Sequence, residues 1–326
     1  MSWLSYLTRK VIGMLVVLVL VSIATYLIFW IFPANPALMS CGKPCTASQL
    51  HQVRELMGLN QPIWRQYLDF LGGIFAGRSY DGGTITCAAP CLGYSFQHHA
   101  SVTTLIGQTF PTTLSLAVGA AVLWLVVGVA AGTVSALRRG TLVDRGVMAV
   151  AIIGVSTPAY LVGLLAILFF GFKLDIVPVG GYVPLTSNPA QWAFHLITPW
   201  CVLAFISAAI YARLTRSQML EALNEDYVRT ARAKGLRERR VIGRHALRNV
   251  LIPVVTVFGL DLGGLLGGAV ITEKVFSMYG MGALLLDAVA KTDLPVITGV
   301  TLLAATFVVV ANFVVDLAYK ALDPRA

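Results

Sequence analysis

Arg213 to Arg248 reads RLTRSQMLEALNEDYVRTARAKGLRERRVIGRHALR, a polar interval set between two segments apolar enough to lie in lipid. It holds ten Lys/Arg and four acids (Glu221, Glu225, Asp226 and Glu238), and so supplies +6 of a whole-chain net charge of +9. A polar interval between long apolar runs reads as a loop outside the bilayer, which makes the flanking runs membrane spans and sets the class of the fold.

Composition agrees with that class. Hydrophobic residues fill 57% of the 326 positions and charged residues only 12%, against about 25% charged in soluble domains. The mean hydropathy is +0.78. The basic excess therefore belongs to membrane-adjacent loops. No interleaving of aromatic and basic residues marks a nucleic-acid surface, and no nucleic-acid partner is expected.

Outward from the interval the chain alternates apolar and polar blocks. Val11 to Phe32 carries no charge for 22 residues, about 33 Å of helix at 1.5 Å per residue, enough to cross a bilayer. It exceeds the apolar region of a cleaved signal peptide and reads as a retained anchor. Pro33 to Pro111 is a polar excursion with little core, holding helical pieces at Ser48 to Met57 and Ile63 to Phe75. Further spans are expected at Thr113 to Leu137, Met148 to Phe172, His195 to about Tyr211, Leu251 to Thr272 and Pro295 to Val315. A polar, Gly-containing re-entry over Glu273 to Leu294 separates the last two. Ser156-Thr157-Pro158 removes a backbone donor inside the third span and predicts a kink there.

The expectation is an all-α membrane protein with six transmembrane helices. Residues 1–32 form the N-terminus and first helix, 33–111 a long external loop region, and 112–326 a five-helix core with a polar loop at 213–249. Lys/Arg residues number 2, 3, 10 and 2 in the N-terminus, the 138–146 loop, the 213–248 interval and the tail, against seven elsewhere. Positive residues stay cytoplasmic, which puts both termini and the interval on that side.

Within the interval, Asn224 is a candidate cap for a helix whose first turn holds Glu225 and Asp226 and whose later turns hold Arg229, Arg232 and Lys234, the order that complements a helix dipole. Gly235 suits the helix stop. Tyr227 and Ala231, four apart, share a face. Two readings fit: a polybasic loop held on anionic lipid at about 1 kcal/mol per basic residue, or a short helix made to enter a cleft on another protein.

Cys41, Cys45, Cys87 and Cys91 form two C-x-x-P-C pairs in the 33–111 region, and Cys201 lies in an apolar run as a small core residue. On the external face oxidised pairs persist. Disulfides in any of three connectivities, or metal ligation with His98 and His99, fit the spacing.

DYVRTARAKGL at 226–236 resembles the cytoplasmic loop motif of binding-protein-dependent ABC importer permeases, a Glu-Ala-Ala triplet followed three residues later by Gly. Arg229-Thr230-Ala231 occupies the place of the triplet and Gly235 that of the glycine. GLNQPIWRQYLDFL (58–71), EKVFSMYGMGALLLDAV (273–289) and DLAYKALDPR (316–325) resemble the dipeptide/oligopeptide branch of that family. Two departures stand out: Arg229 replaces the leading Glu, and Pro253 follows the glycine later than the family's proline does. The 79–91 segment around Cys87 reads as an insert relative to the family pattern, one that stiffens the surface receiving a binding protein.

The resemblance implies a permease subunit of an ATP-driven importer that moves peptides from an external substrate-binding protein into the cytoplasm. Glu225, Asp226, Tyr227, Arg229, Ala231, Lys234 and Gly235 would form the helix that docks on the ATPase. The implied partners are a second homologous permease chain, two ATPase subunits or domains, the binding protein and membrane lipid. No G-x-x-x-x-G-K-[ST] occurs, so ATP and Mg belong to the ATPase partners and this chain is expected to bind no cofactor and no metal.

Asp261, in GLDLGGLLGG of the fifth span, costs about 2.5–3.5 kcal/mol to insert unless solvated or paired. Either it draws the ammonium end of a passing peptide, with Ser156 and Pro158 as further pathway residues, or it makes a structural hydrogen bond. Gly263, Gly264, Gly267 and Gly268 have small-x-x-x-small spacing, which suits close helix packing. Rival readings are a nickel or other small-solute permease of the same family, a proton-driven secondary transporter working through Asp261, and a lipid-bound scaffold. An intramembrane enzyme is disfavoured, since neither H-E-x-x-H nor G-x-S-x-G occurs and no paired acids lie in the spans.

Overall fold

The computed structural model describes residues 3–30, 37–38, 45–56, 58–80 and 85–322. The helices are α1 (Trp3–Trp30), α2 (Ala47–Leu56), α3 (Ile63–Ala76), α4 (Val102–Leu137), α5 (Leu142–Ser156), α6 (Ala159–Ala166), α7 (Pro189–Ala222), α8 (Asp226–Ala233), α9 (Leu247–Leu266), α10 (Val270–Val275), α11 (Met281–Lys291) and α12 (Leu294–Leu322). Widened π-type turns extend α6 through Ile167–Lys173 and lead into α9 through Val241–Ala246. Two small antiparallel hairpins pair β1 (Arg78–Tyr80) with β2 (Ile85–Cys87) and β3 (Tyr94–Ser95) with β4 (Ala100–Ser101).

Among the described residues five helices are long and apolar enough to cross a membrane, or up to six if the bent pair α5 and α6 is one span. The pair bends by 103°, which is a break and not the expected kink. Thr157 is extended at φ −94°, ψ 128°, and Pro158 opens the next helix. A residue before proline is pushed out of the helical region, and the Thr157 hydroxyl closes the old helix on the Ile153 carbonyl at 2.6 Å.

Three boundaries move for identifiable reasons. The second span starts at Val102, because Pro111 sits inside α4; one missing donor does not end a helix whose other backbone groups are paired. The fifth stops at Leu266, where Gly267 and Gly268 follow and Gly268 takes φ +129°, a region that favours glycine. The expected polar re-entry is two helices, α10 and α11, with Met281 to Leu284 all buried.

Two compact units make up the chain. The first comprises Met1–Thr113, Gly264–Glu273 and Tyr279–Val310. The described residues of its 33–111 portion pack better than a loop with little core. Tyr26 and Phe70 join Leu302 in one buried cluster, and the Ser22 and Tyr67 hydroxyls are 2.6 Å apart. The start of α4 packs on α11 and α12 through Val102, Ile106, Met281, Leu284, Val296 and Val300. Backbone meets backbone at Gly282, whose missing Cβ would lie 2.7 Å from Val270 Cα.

The second unit comprises Leu114–Gly263, Lys274–Met278 and Ala311–Ala326. Here α4 lies directly on α7, since a Cβ at Gly132 would fall 2.5 Å from the Ala212 carbonyl oxygen. A Cβ at Gly154 of α5 would lie 3.0 Å from Ala209 Cβ of α7. Small residues at such crossings let helices approach where lipid supplies no hydrophobic drive. The sequence pattern placed this role on four other glycines. Of those, Gly267 packs tightly on Ala304, whose Cβ would lie 2.8 Å from an added Cβ, and Gly268 ends the helix, whereas Gly264 meets nothing within 4 Å.

Candidate functional site

The polar interval begins as the last turns of α7 and turns at Leu223–Glu225 into α8, with Asp226 in its first turn and Arg232 in its last. Asn224 does not cap it: its side-chain amide donates to the Leu220 carbonyl at 2.9 Å, and Glu225 holds the cap position without a side-chain bond. The C-terminal stop is as expected. Gly235 has φ +74°, its N–H reaches the Arg232 carbonyl at 2.9 Å, and the Leu236 N–H reaches back to Ala231 at 3.4 Å. Such a pair satisfies carbonyls that would otherwise be orphaned.

Eight residues do not hold a helix in water unaided, so α8 depends on its apolar face. Val228 and Ala231 are 0% and 5% exposed, packed with Met219 and Ala222 of α7, Ala136 of α4, and Val241, Ala246 and Val250 at the start of α9. Ala231 therefore faces the chain's own core and does not share an outer face with exposed Tyr227. Arg232 and Glu238 add a two-pronged pair at 2.7 and 3.3 Å, tying the end of α8 to the next turn. Glu225, Asp226, Tyr227, Arg229 and Lys234 are all exposed. The Arg229 guanidinium lies 3.6 Å from Asp226, both side chains largely in solvent, a contact worth well under about 1 kcal/mol. The outer face is thus charged and solvated.

Val228 was not among the residues singled out from the sequence, although a lone valine in a polar octet is a signal of the buried side. Asp144 and Arg216 were also missed. The Asp144 carboxylate, 5% exposed, accepts from Arg216 Nε at 2.7 Å and Nη2 at 3.0 Å, from Ser135 Oγ at 2.5 Å and from the Gly140 N–H at 2.9 Å.

Asp261 accepts from the Tyr211 hydroxyl at 2.8 Å, with the Trp124 ring 6.3 Å from that of Tyr211. The hydrogen bond of the structural reading is thus present, and the residue is exposed on the chain surface. Ser156 and Pro158, also exposed, mark the 103° bend.

In the first unit, Cys87 and Cys91 form a disulfide and Cys45 is also disulfide-bonded, while Cys41 lies outside the described residues. Cys201, expected as a small core residue, is a free thiol exposed on the chain surface. Among the described residues no group of three or more His, Cys, Asp or Glu is placed to hold a metal ion. Glu273, read from sequence only as part of a polar stretch, is fully buried. Its Oε1 accepts from the Thr113 hydroxyl at 2.7 Å and its Oε2 from the Ala283 N–H at 2.8 Å, while the Thr113 hydroxyl also takes the Met281 N–H at 2.8 Å. Buried Asp293 takes a short hydrogen bond from Ser95; burial pushes its carboxyl above the usual range, and Ser95 and His98 draw it back.

Several apolar helices, with the short polar helix α8 seated against α4, α7 and the start of α9, define a multi-pass membrane component. Residues 128–326 match the family described as binding-protein-dependent transport system inner membrane component, and residues 3–117 match that family's N-terminal region. The chain belongs to this family. It is 39% identical to the di/tripeptide transport system permease protein DppB of Pseudomonas aeruginosa (strain UCBPP-PA14), over 99% of this chain and 98% of that one. It is 36% identical to the dipeptide transport system permease protein DppB of Escherichia coli (strain K12), over 94% and 93%. Its fold resembles a chain of the inward-facing MetNI methionine ABC transporter, with a TM-score of 0.53 at 18% identity over 68% of this chain and 97% of that one. The protein is a permease subunit of an ABC importer in the inner membrane and not an enzyme, and the proton-driven and scaffold readings give way to that assignment.

Proposed function

We propose that this chain conducts peptides delivered by an external binding protein, and that the exposed face of α8 docks on an ATPase subunit and carries its movement to the spans. The observation that carries the docking half is the asymmetry of α8: one face fixed to α4, α7 and α9, the other charged and free. The peptide half is supported by relatives named for dipeptide and di/tripeptide transport. The bent pair α5 and α6 counts as one span in this reading, giving six. That number agrees with the Lys/Arg distribution and puts both termini and α8 in the cytoplasm and the 33–111 region outside. A second homologous permease chain completes the pathway, and two ATPase subunits or domains bind ATP and Mg.

Gly235 gives a sensitive test. A Cβ there would meet nothing within 4 Å in this chain, and the strain comes only from φ +74°, about 1–2 kcal/mol for an L-residue. Gly235→Ala is expected to leave permease abundance near normal while lowering ATP-dependent uptake of a radiolabelled dipeptide by about tenfold or more, with each tenfold being about 1.4 kcal/mol. Co-purification with the ATPase subunits and uptake in proteoliposomes check it. Unchanged uptake and unchanged ATPase content would count against coupling through this loop.

A further inference from the structure

We propose that Asp144 and Arg216 are a positioning pair that holds the seat of the coupling helix in register with α5. The proposal rests on the α8 docking role argued above. One carboxylate, 5% exposed, joins three helices: Ser135 near the end of α4, Asp144 itself in the first turn of α5, and Arg216 on α7. The Gly140 N–H adds the loop between α4 and α5. The Arg216 guanidinium meets the two carboxylate oxygens side-on at 2.7 and 3.0 Å, a geometry that fixes orientation as well as distance.

This pair adjoins the apolar seat of α8. Ser135 is followed by Ala136, and Arg216 lies one turn before Met219; Ala136 and Met219 both belong to the cluster that buries Val228 and Ala231. Just above it, Gly132 brings α4 against the backbone of α7, 3.1 Å from the Arg216 nitrogen for an added Cβ. A displacement of α8 therefore reaches α7 through apolar contact, and α7 grips α5 through this ion pair. At its far end α5 runs into the Ser156–Pro158 break. A buried pair of this kind adds little net stability over a well-packed apolar substitute, and its attested use is in fixing register.

The test uses the complete complex, with both permease chains, ATPase subunits and binding protein, in proteoliposomes. It measures dipeptide taken up per ATP hydrolysed. Asp144→Asn keeps the side-chain volume, and its one amide oxygen can still accept from the Gly140 N–H while its N–H₂ donates to the Ser135 hydroxyl, but it loses the charge opposite Arg216. It is expected to assemble with full ATPase content and hydrolyse ATP normally, while uptake per ATP falls about tenfold, an ordinary size for a coupling energy. Arg216→Lys keeps the charge but not the side-on geometry, and is expected to lower the ratio as well, by less than Asp144→Asn does. An unchanged ratio in Asp144→Asn overturns the proposal. So does a loss of assembly, or a proportional loss of both activities, in both variants, since that would make the pair merely structural. Failure of the docking role itself reads differently: complexes carrying Val228→Asp would then retain their ATPase subunits whatever Asp144→Asn does.

Discussion

Val228→Asp is expected to strip the ATPase subunits from the purified complex and to reduce ATP-dependent uptake by about 100-fold or more, equivalent to some 2.7 kcal/mol. Val228 is 0% exposed and lies at the centre of the contact between α8 and the ends of α4, α7 and α9. Its burial contributes about 1.5–3 kcal/mol, and a carboxylate in its place has no partner among the apolar groups around it. An eight-residue helix does not stay folded in water without such apolar contact. The spans do not depend on this residue, so the amount of permease in the membrane should change little, as quantitative blotting would show. Tyr227→Ala, on the exposed side, serves as the comparison: it leaves α8 seated and tests only the outer contact.

Glu273→Ala is expected to act on the protein itself and not on its coupling, lowering the amount of folded permease by about tenfold or more. The substitution leaves the Thr113 hydroxyl and the Ala283 N–H without their acceptors in a fully buried place, and each such loss costs about 1–3 kcal/mol. Glu273→Gln should fare little better, because one of the two donors would then face an amide N–H₂. The surrounding backbone allows no easy repair, since a Cβ on Gly280 would lie 2.5 Å from the carboxylate. Thermal aggregation of detergent-solubilised protein measures the effect. Normal abundance and an unshifted aggregation temperature in Glu273→Ala would show that the carboxylate is not what holds the start of α11.

The sequence reveals the helices that lipid makes unavoidable. Long runs without charge at Val11–Phe32 and Pro295–Val315 leave a membrane chain little choice, and Gly235 announces its left-handed conformation because only glycine adopts it freely. What the sequence conceals depends on contacts between distant residues. Pro111 looks like a boundary and Pro158 like a kink, yet α4 runs through the first and the chain turns by 103° at the second. A proline removes the same donor in both places; the preceding Thr157, extended and closed on Ile153, makes the difference. Asp144 and Arg216 are 72 residues apart and each looks like one more loop charge until the helices bring them together. Helix α8 is legible in position and stop, but its buried side is not: spacing puts Ala231 on one face with Tyr227, and packing with Met219 and Val241 buries Ala231 while Tyr227 stays exposed.

Contact between the outer face of α8 and an ATPase subunit is tested most directly by a photo-crosslinking side chain at Arg229, whose own side chain is 68% exposed, in the intact complex in membranes. The expected result is an adduct between this chain and an ATPase subunit, with the same probe at exposed Trp64 in the 33–111 region giving none. An Arg229 probe that captures only lipid or no ATPase subunit, or a Trp64 probe that captures the ATPase, would contradict the account.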